Sequence, residues 1–116
     1  RPFAMRKIED IIREEKLEPV KNLLEALGYH GMTVTEVSGR GRQRGVPLKW
    51  GSKDFRLDFL PKLKIEVVVM DEDVSPAVNA IVRGAKTGEI GDGKIFIIPV
   101  EDAVRVRTGD SGTGAI

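Results

Sequence analysis

Residues 59–70 read FLPKLKIEVVVM, and residues 74–100 read VSPAVNAIVRGAKTGEIGDGKIFIIPV. In the first stretch Leu63, Ile65, Val67 and Val69 alternate with Lys62, Lys64 and Glu66. A period of two puts one set on a core face and the other on the opposite face, so the spacing predicts a long strand over 59–70. Val74, Ala77, Val78, Ile81, Val82 and Ala85 then recur at helical spacing and predict an amphipathic helix. Either Asp71 caps it, or Ser75 does with Pro76 in the first helical position. Ile95–Val100 is short and almost wholly apolar, which predicts a buried strand.

The N-terminal part repeats this plan. Ile8, Ile11 and Ile12 lie among charges in a strand-like segment, Met5–Ile12. Leu17, Val20, Leu23, Leu24 and Leu27 follow at helical spacing, and Gly28 stands where a C-terminal glycine ends a helix. Met32, Val34 and Val37, with threonines between, predict a second strand over 31–38. The order β-α-β-β-α-β is the split-βαβ arrangement: an α+β, ferredoxin-like fold, with an antiparallel sheet and two helices on one face. The chain reads as one domain over 5–116. Residues 1–4 are expected to be a short tail or an appended remnant ahead of Met5.

Composition narrows the function. The chain has 116 residues, 41% hydrophobic and 32% charged, with a net charge of +1. Near-neutral charge gives no global pull toward nucleic acid or a membrane surface. No apolar run reaches the ~20 residues of a membrane-spanning helix, and a cytoplasmic location is the default expectation. There is no cysteine, and His30 is the only histidine. That removes disulfides, thiolate metal sites and cysteine nucleophiles. No acid–base pair or nucleophile–base pair is visible, so an enzyme is not expected, beyond at most slow ATP hydrolysis.

Three segments carry chemistry. Residues 39–58 separate the second and third strands and are rich in glycine and charge. Ordinary connections run about 4–6 residues, and longer ones are usually functional. A solvated β-ribbon is the plainer alternative. Trp50 is placed at the tip as a partner anchor or a packing residue, and Lys49 and Lys53 flank it. The second segment is Gly88-Glu89-Ile90-Gly91-Asp92-Gly93-Lys94. It satisfies the phosphate-loop spacing, but Ile95 replaces the magnesium-binding hydroxyl and the turn leaves a helix rather than opening one. Its glycines still allow backbone N–H groups to converge on an anion, and Lys94 adds a charge. A glycine-rich structural turn is the alternative. In the third segment, Arg105-Val106-Arg107, extended backbone would put both guanidinium groups on one side, an arrangement suited to phosphate. Two solvated surface arginines are the alternative. Arg42, Gln43 and Lys62 flank the base of the long insertion.

Thr87-Gly88-Glu89-Ile90-Gly91-Asp92-Gly93-Lys94-Ile95-Phe96 resembles the TGxIGDGKIF signature of PII signal-transduction proteins. Arg105–Gly109, Gly41–Gly45, Phe59–Lys62 and His30–Val34 resemble further motifs of the same family. The resemblance runs without a gap from Met5 to about Gly109. It implies a homotrimer with nucleotide sites in the clefts between subunits, for ATP or ADP. Thr33, Gly39, Arg42, Glu66, Val68, Thr87, Gly91, Asp92, Gly93 and Lys94 fall on nucleotide-binding positions, and Arg105 and Arg107 on positions reaching the phosphates from a neighbour. Gln43 falls on the position that holds Mg2+ and 2-oxoglutarate, and Lys62 on the lysine that pairs with 2-oxoglutarate. Residues 39–58 become the T-loop, which docks on a target such as an ammonium transporter or a metabolic enzyme. The loop departs from the family pattern. Phe55 stands at the modified tyrosine, Gly51 at the arginine that plugs an ammonium channel, and Lys53 at the phosphoserine of cyanobacterial members.

The expected function is therefore a PII-type sensor of ATP, ADP and 2-oxoglutarate that regulates nitrogen or carbon metabolism. A PII-like protein for another small ligand is the first alternative. A ferredoxin-like RNA-binding module is the second. The latter needs aromatics on its open sheet face to stack bases, and the first and third strands offer only Phe59.

Overall fold

The computed structural model describes residues 4–39, 47–50, 53–56 and 60–116, with backbone alone for 39, 47–50 and 53–56. The elements are β1 (Met5–Ile12), α1 (Leu17–Ala26), β2 (Thr33–Gly39), β3 (Pro47–Trp50), β4 (Lys53–Arg56), β5 (Leu60–Met70), α2 (Val74–Ala85) and β6 (Lys94–Val100). The main sheet has the order β2-β5-β1-β6. All of its pairings are antiparallel, with β1 running from Met5↔Met70 to Ile12↔Leu63 against β5. This is the split-βαβ arrangement expected from the sequence.

Alternation decides which face is core. Ile8 and Ile12 of β1, Ile65, Val67 and Val69 of β5, Val20 and Leu24 of α1, and Ala77, Ile81 and Ala85 of α2 form one buried cluster. Burying a side chain such as Leu24 or Ile81 contributes roughly 1.5–3 kcal/mol. α1 ends as predicted: Gly28 N–H donates to the Glu25 carbonyl at 2.9 Å and Tyr29 N–H to the Leu24 carbonyl at 3.0 Å. Gly28 takes φ +94°, the left-handed conformation such an ending requires.

Several local expectations are corrected. α2 starts at Val74 after a 3-10 turn over Asp71–Asp73, and Asp73 occupies the N-cap position without a side-chain capping bond. Neither anticipated cap is used, and Pro76 lies inside the first turn, where its missing N–H costs nothing. β6 is an edge strand rather than a buried one: Phe96 is 46% and Ile97 47% exposed. Lys62, on the polar register of β5, is buried at 5% exposure. Within 39–58, β3 and β4 form a two-stranded sheet in which Trp50 pairs with Lys53, so part of the insertion is the β-ribbon alternative.

The face opposite the helices carries Thr33, Thr35 and Val37 of β2, Lys64, Glu66 and Val68 of β5, Lys7, Glu9 and Ile11 of β1, and Lys94, Phe96 and Ile98 of β6. A ladder of ion pairs crosses its centre: Lys7–Glu66 at 2.9 Å, Lys64–Glu9 at 3.7 Å and Lys64–Glu66 at 3.9 Å. Among the described residues, no helix is long and apolar enough to cross a membrane.

Candidate functional site

The helix-to-strand connection between α2 and β6 is built around one carboxylate. Asp92 accepts hydrogen bonds from the backbone N–H groups of Thr87 and Gly88, each at 2.9 Å, and from the Thr87 hydroxyl. Arg13 Nε adds a fourth at 3.3 Å. These donors, led by the Thr87 hydroxyl, hold the Asp92 acid well below the usual carboxylate range. Both Thr87 and Asp92 were expected at nucleotide-binding positions. In the single subunit the Thr87 hydroxyl and the N–H groups of Thr87 and Gly88 are all committed to the Asp92 carboxylate.

Gly88, Gly91 and Gly93 have φ of +90°, +101° and +112°. Among the described residues, none accepts a hydrogen bond from the amides of Gly91 or Gly93. Consecutive N–H groups in such conformations form a concavity for anions. Gly93 is also forced by contact, because a Cβ there would stand 1.8 Å from the Ile11 carbonyl oxygen. The turn therefore rests directly on the backbone of β1.

Two cations support it from below. Arg13, just past β1, donates from Nη2 to the Ile90 carbonyl at 2.8 Å while its Nε meets Asp92. Lys62, at the start of β5, donates to the Gly91 carbonyl. Burial pushes the Lys62 ammonium below the usual lysine range; the Arg13 charge acts in the same direction, and Glu15 and Asp92 oppose it. Arg13 was not anticipated from the sequence.

Lys94 opens β6 beside Ile11 and is exposed. A cleft of about 340 Å³ lies at the same end, between α2 and β6, lined by Ile81, Val82, Ala85, Lys86, Lys94 and Ile95 among others. A second hollow of about 360 Å³ lies beside Lys62, bordered by Glu14, Glu36 and Ser38. Gly39 pairs with Leu60, so the insertion 39–58 departs from this same end of the sheet.

Thr33, Glu66 and Val68 are brought to one face, with Thr33 directly opposite Glu66. Lys7, through its hydrogen bond first and its charge as well, holds Glu66 below the usual carboxylate range. Lys94 lies on that face too, two strands from β5 and three from β2, about 10 and 14 Å across the sheet. The ion-pair ladder stands between the two groups, so one subunit does not gather them into a single pocket.

Arg105 and Arg107 depart from expectation. They lie in a reversal, not an extended strand: Val104 bridges to Ser111, and Gly109 N–H donates to the Arg105 carbonyl at 2.7 Å. Arg105 donates from Nη2 to the Gly114 carbonyl at 3.1 Å and stands 4.0 Å from Asp110. Arg107 is exposed and Val106 is 99% exposed. Arg42 and Gln43 lie outside the described residues. The backbone places Lys49, Trp50 and Lys53 at the paired end of the β3–β4 ribbon. Among the described residues there is no cluster of three or more histidine, cysteine or carboxylate groups suited to a metal.

A split-βαβ sheet whose strand ends hold a glycine-rich turn, a buried lysine and the root of a long insertion defines a small ferredoxin-like protein. The chain belongs to the nitrogen regulatory protein P-II family, whose model matches residues 5–110. It is 61% identical over 112 residues to nitrogen regulatory protein P-II 2 of Methanothermobacter thermautotrophicus, covering 97% of each chain. It is 53% identical to nitrogen regulatory protein P-II of Cereibacter sphaeroides, covering 97% of this chain and all of that one. The crystal structure of Arabidopsis thaliana PII bound to citrate superposes with a TM-score of 0.81 at 39% identity, over 98% of this chain and 94% of that chain. The relatives are named as regulators, and this chain is a regulatory protein, not an enzyme.

Proposed function

We propose that this chain senses ATP or ADP together with Mg2+ and 2-oxoglutarate, and passes the result to a target protein through residues 39–58. The observation that carries the reading is the Gly88–Lys94 turn, whose aspartate ties its first residues and whose Gly91 and Gly93 amides have no acceptor among the described residues, at the end of the sheet where the insertion departs. In this reading the nucleotide phosphates lie against Gly91, Gly93 and Lys94, and the base and ribose against Thr33, Gly39, Glu66 and Val68. Arg42 adds a cation from the loop, and Gln43 holds the metal with 2-oxoglutarate.

Separation of the base-side and phosphate-side groups across the ladder favours a site shared between copies. The open sheet face supports the same view, since the apolar side chains Phe96, Ile98, Val68 and Ile11 all belong to it. A homotrimer would cover that face and bring Arg105 and Arg107 of one copy to the phosphates of the next. The hold of Arg105 on Asp110 and Gly114 within one subunit would then give way to a stronger anion. Citrate on the Arabidopsis thaliana protein supports a small polycarboxylate as a ligand class.

Lys62 would serve both sites, because its donor already reaches the Gly91 carbonyl of the phosphate turn. A 2-oxoglutarate carboxylate would compete for that donor, so the two ligands would be coupled through one side chain. Target contact would fall to Lys49, Trp50 and Lys53 on the ribbon, without nucleotidylation at Phe55.

Calorimetric titration tests the reading. ATP is expected to bind, Lys94→Ala and Arg107→Ala each to weaken it by roughly 1.5–3 kcal/mol, and 2-oxoglutarate to bind only with ATP and magnesium present. Lys62→Ala is expected to abolish 2-oxoglutarate binding. ATP affinity unchanged in both of the first two variants would overturn the site, and 2-oxoglutarate binding to the nucleotide-free protein would overturn the metal bridge.

A further inference from the structure

Asp10 is at the centre of the fold and outside the site. It lies on β1, an inner strand, in alternation with the core residues Ile8 and Ile12. Directly opposite it are Ile65 of β5 and Ile95 of β6. The side chain is 0% exposed, and among the described residues neither carboxylate oxygen has a hydrogen-bond partner.

Among the described residues, its surroundings supply no compensating charge. β5 presents Leu63, Ile65 and Val67 to this face, and β6 presents Ile95 and Ile97. The helices contribute Val20 and Leu24 from α1, and Ala77, Ile81 and Ala85 from α2. The charged groups nearest in register are Arg6 of β1, which pairs with Asp71 at 3.1 Å, and Glu36 of β2, which is exposed. Lys86 follows α2 and is exposed. None of them bonds to Asp10. An ionised carboxylate without partner or water is strongly disfavoured, while the neutral acid loses far less.

We propose that Asp10 is a proton switch in the core: the folded subunit holds it as a neutral carboxylic acid, and its ionisation loosens the packing of β1 against the two helices. Burial pushes this acid up to about 7, with its own backbone N–H opposing weakly. In the unfolded chain it titrates near 4. Between these values the folded state holds a proton that the unfolded state has lost. Stability is therefore full below about pH 4 and declines as pH rises through about 7. Ile11, the next residue, supplies the carbonyl on which Gly93 rests, so the switch lies one residue from the candidate site.

Two measurements decide the matter without any ligand. In protein labelled with 13C at aspartate Cγ, one carboxyl resonance is expected to titrate near pH 7 and to be missing from Asp10→Asn. In urea unfolding at fixed subunit concentration, the wild-type folding constant is expected to fall roughly thirty-fold from pH 5.5 to pH 8.0. Asp10→Asn and Asp10→Leu are expected to lose that dependence, and Asp10→Leu to exceed wild type at pH 8.0. Titration of every aspartate below pH 5, or an undiminished pH dependence in a folded variant, would overturn the proposal. The wild-type resonance answers the question even where a variant fails to fold.

Discussion

Gly93 and Gly88 have similar backbone angles but opposite surroundings. A methyl group at Gly88 would meet nothing within 4 Å, whereas at Gly93 it would run into the Ile11 carbonyl oxygen. Gly88→Ala is expected to cost only the left-handed penalty, about 1–2 kcal/mol. Gly93→Ala adds a collision with backbone that has no rotamer to yield, and a loss larger than that of Gly88→Ala is expected in urea unfolding. Equal losses would mean that the turn does not rest on β1. The glycines themselves were legible from the sequence as an anion turn. What was not legible is that Asp92 ties the turn from inside, because a motif does not say where its acid points. Asp10 was legible in principle: its alternation with Ile8 and Ile12 puts it on the core face, but in a strand dense with charges it passed as one more polar position.

At the scale of elements, the turn belongs to β1 as much as to β6. Arg13 is the link, binding Asp92 and the Ile90 carbonyl from the end of β1. Arg13→Ala is expected to speed amide hydrogen exchange at Gly91 to Gly93 and to weaken ATP binding, while the melting temperature changes little because the pair is partly exposed. Unchanged exchange in the turn would show that Asp92 and Lys62 suffice. The strands and helices themselves followed from periodicity, to within two residues at most ends. Periodicity failed where the chain has little of it. Arg105–Arg107 looked extended because two arginines alternate with valine, yet the backbone hydrogen bonds of the reversal fold it back. β6 looked buried because it is apolar, and strand order is a tertiary property that composition does not carry.

Among the described residues the main sheet has α-helices on one side only, and its other side is partly apolar. Phe96, exposed on that side, lies beside Glu9 of β1. If copies meet through this face, Phe96→Glu sets a carboxylate against an acidic neighbour and should lower the sedimentation mass while leaving the far-ultraviolet spectrum unchanged. An unchanged mass would move the contact elsewhere. The polarity of β1 has a practical consequence as well. Met5, which pairs with both Met70 and Val100, stands at one end of the strand, and Ile12, beside the glycine turn, at the other. Seven residue steps at about 3.3 Å separate them by roughly 23 Å. A surface tether or fluorescent label joined ahead of Met5 would thus sit at the far pole from the turn, so an immobilised chain can present its working end to solution.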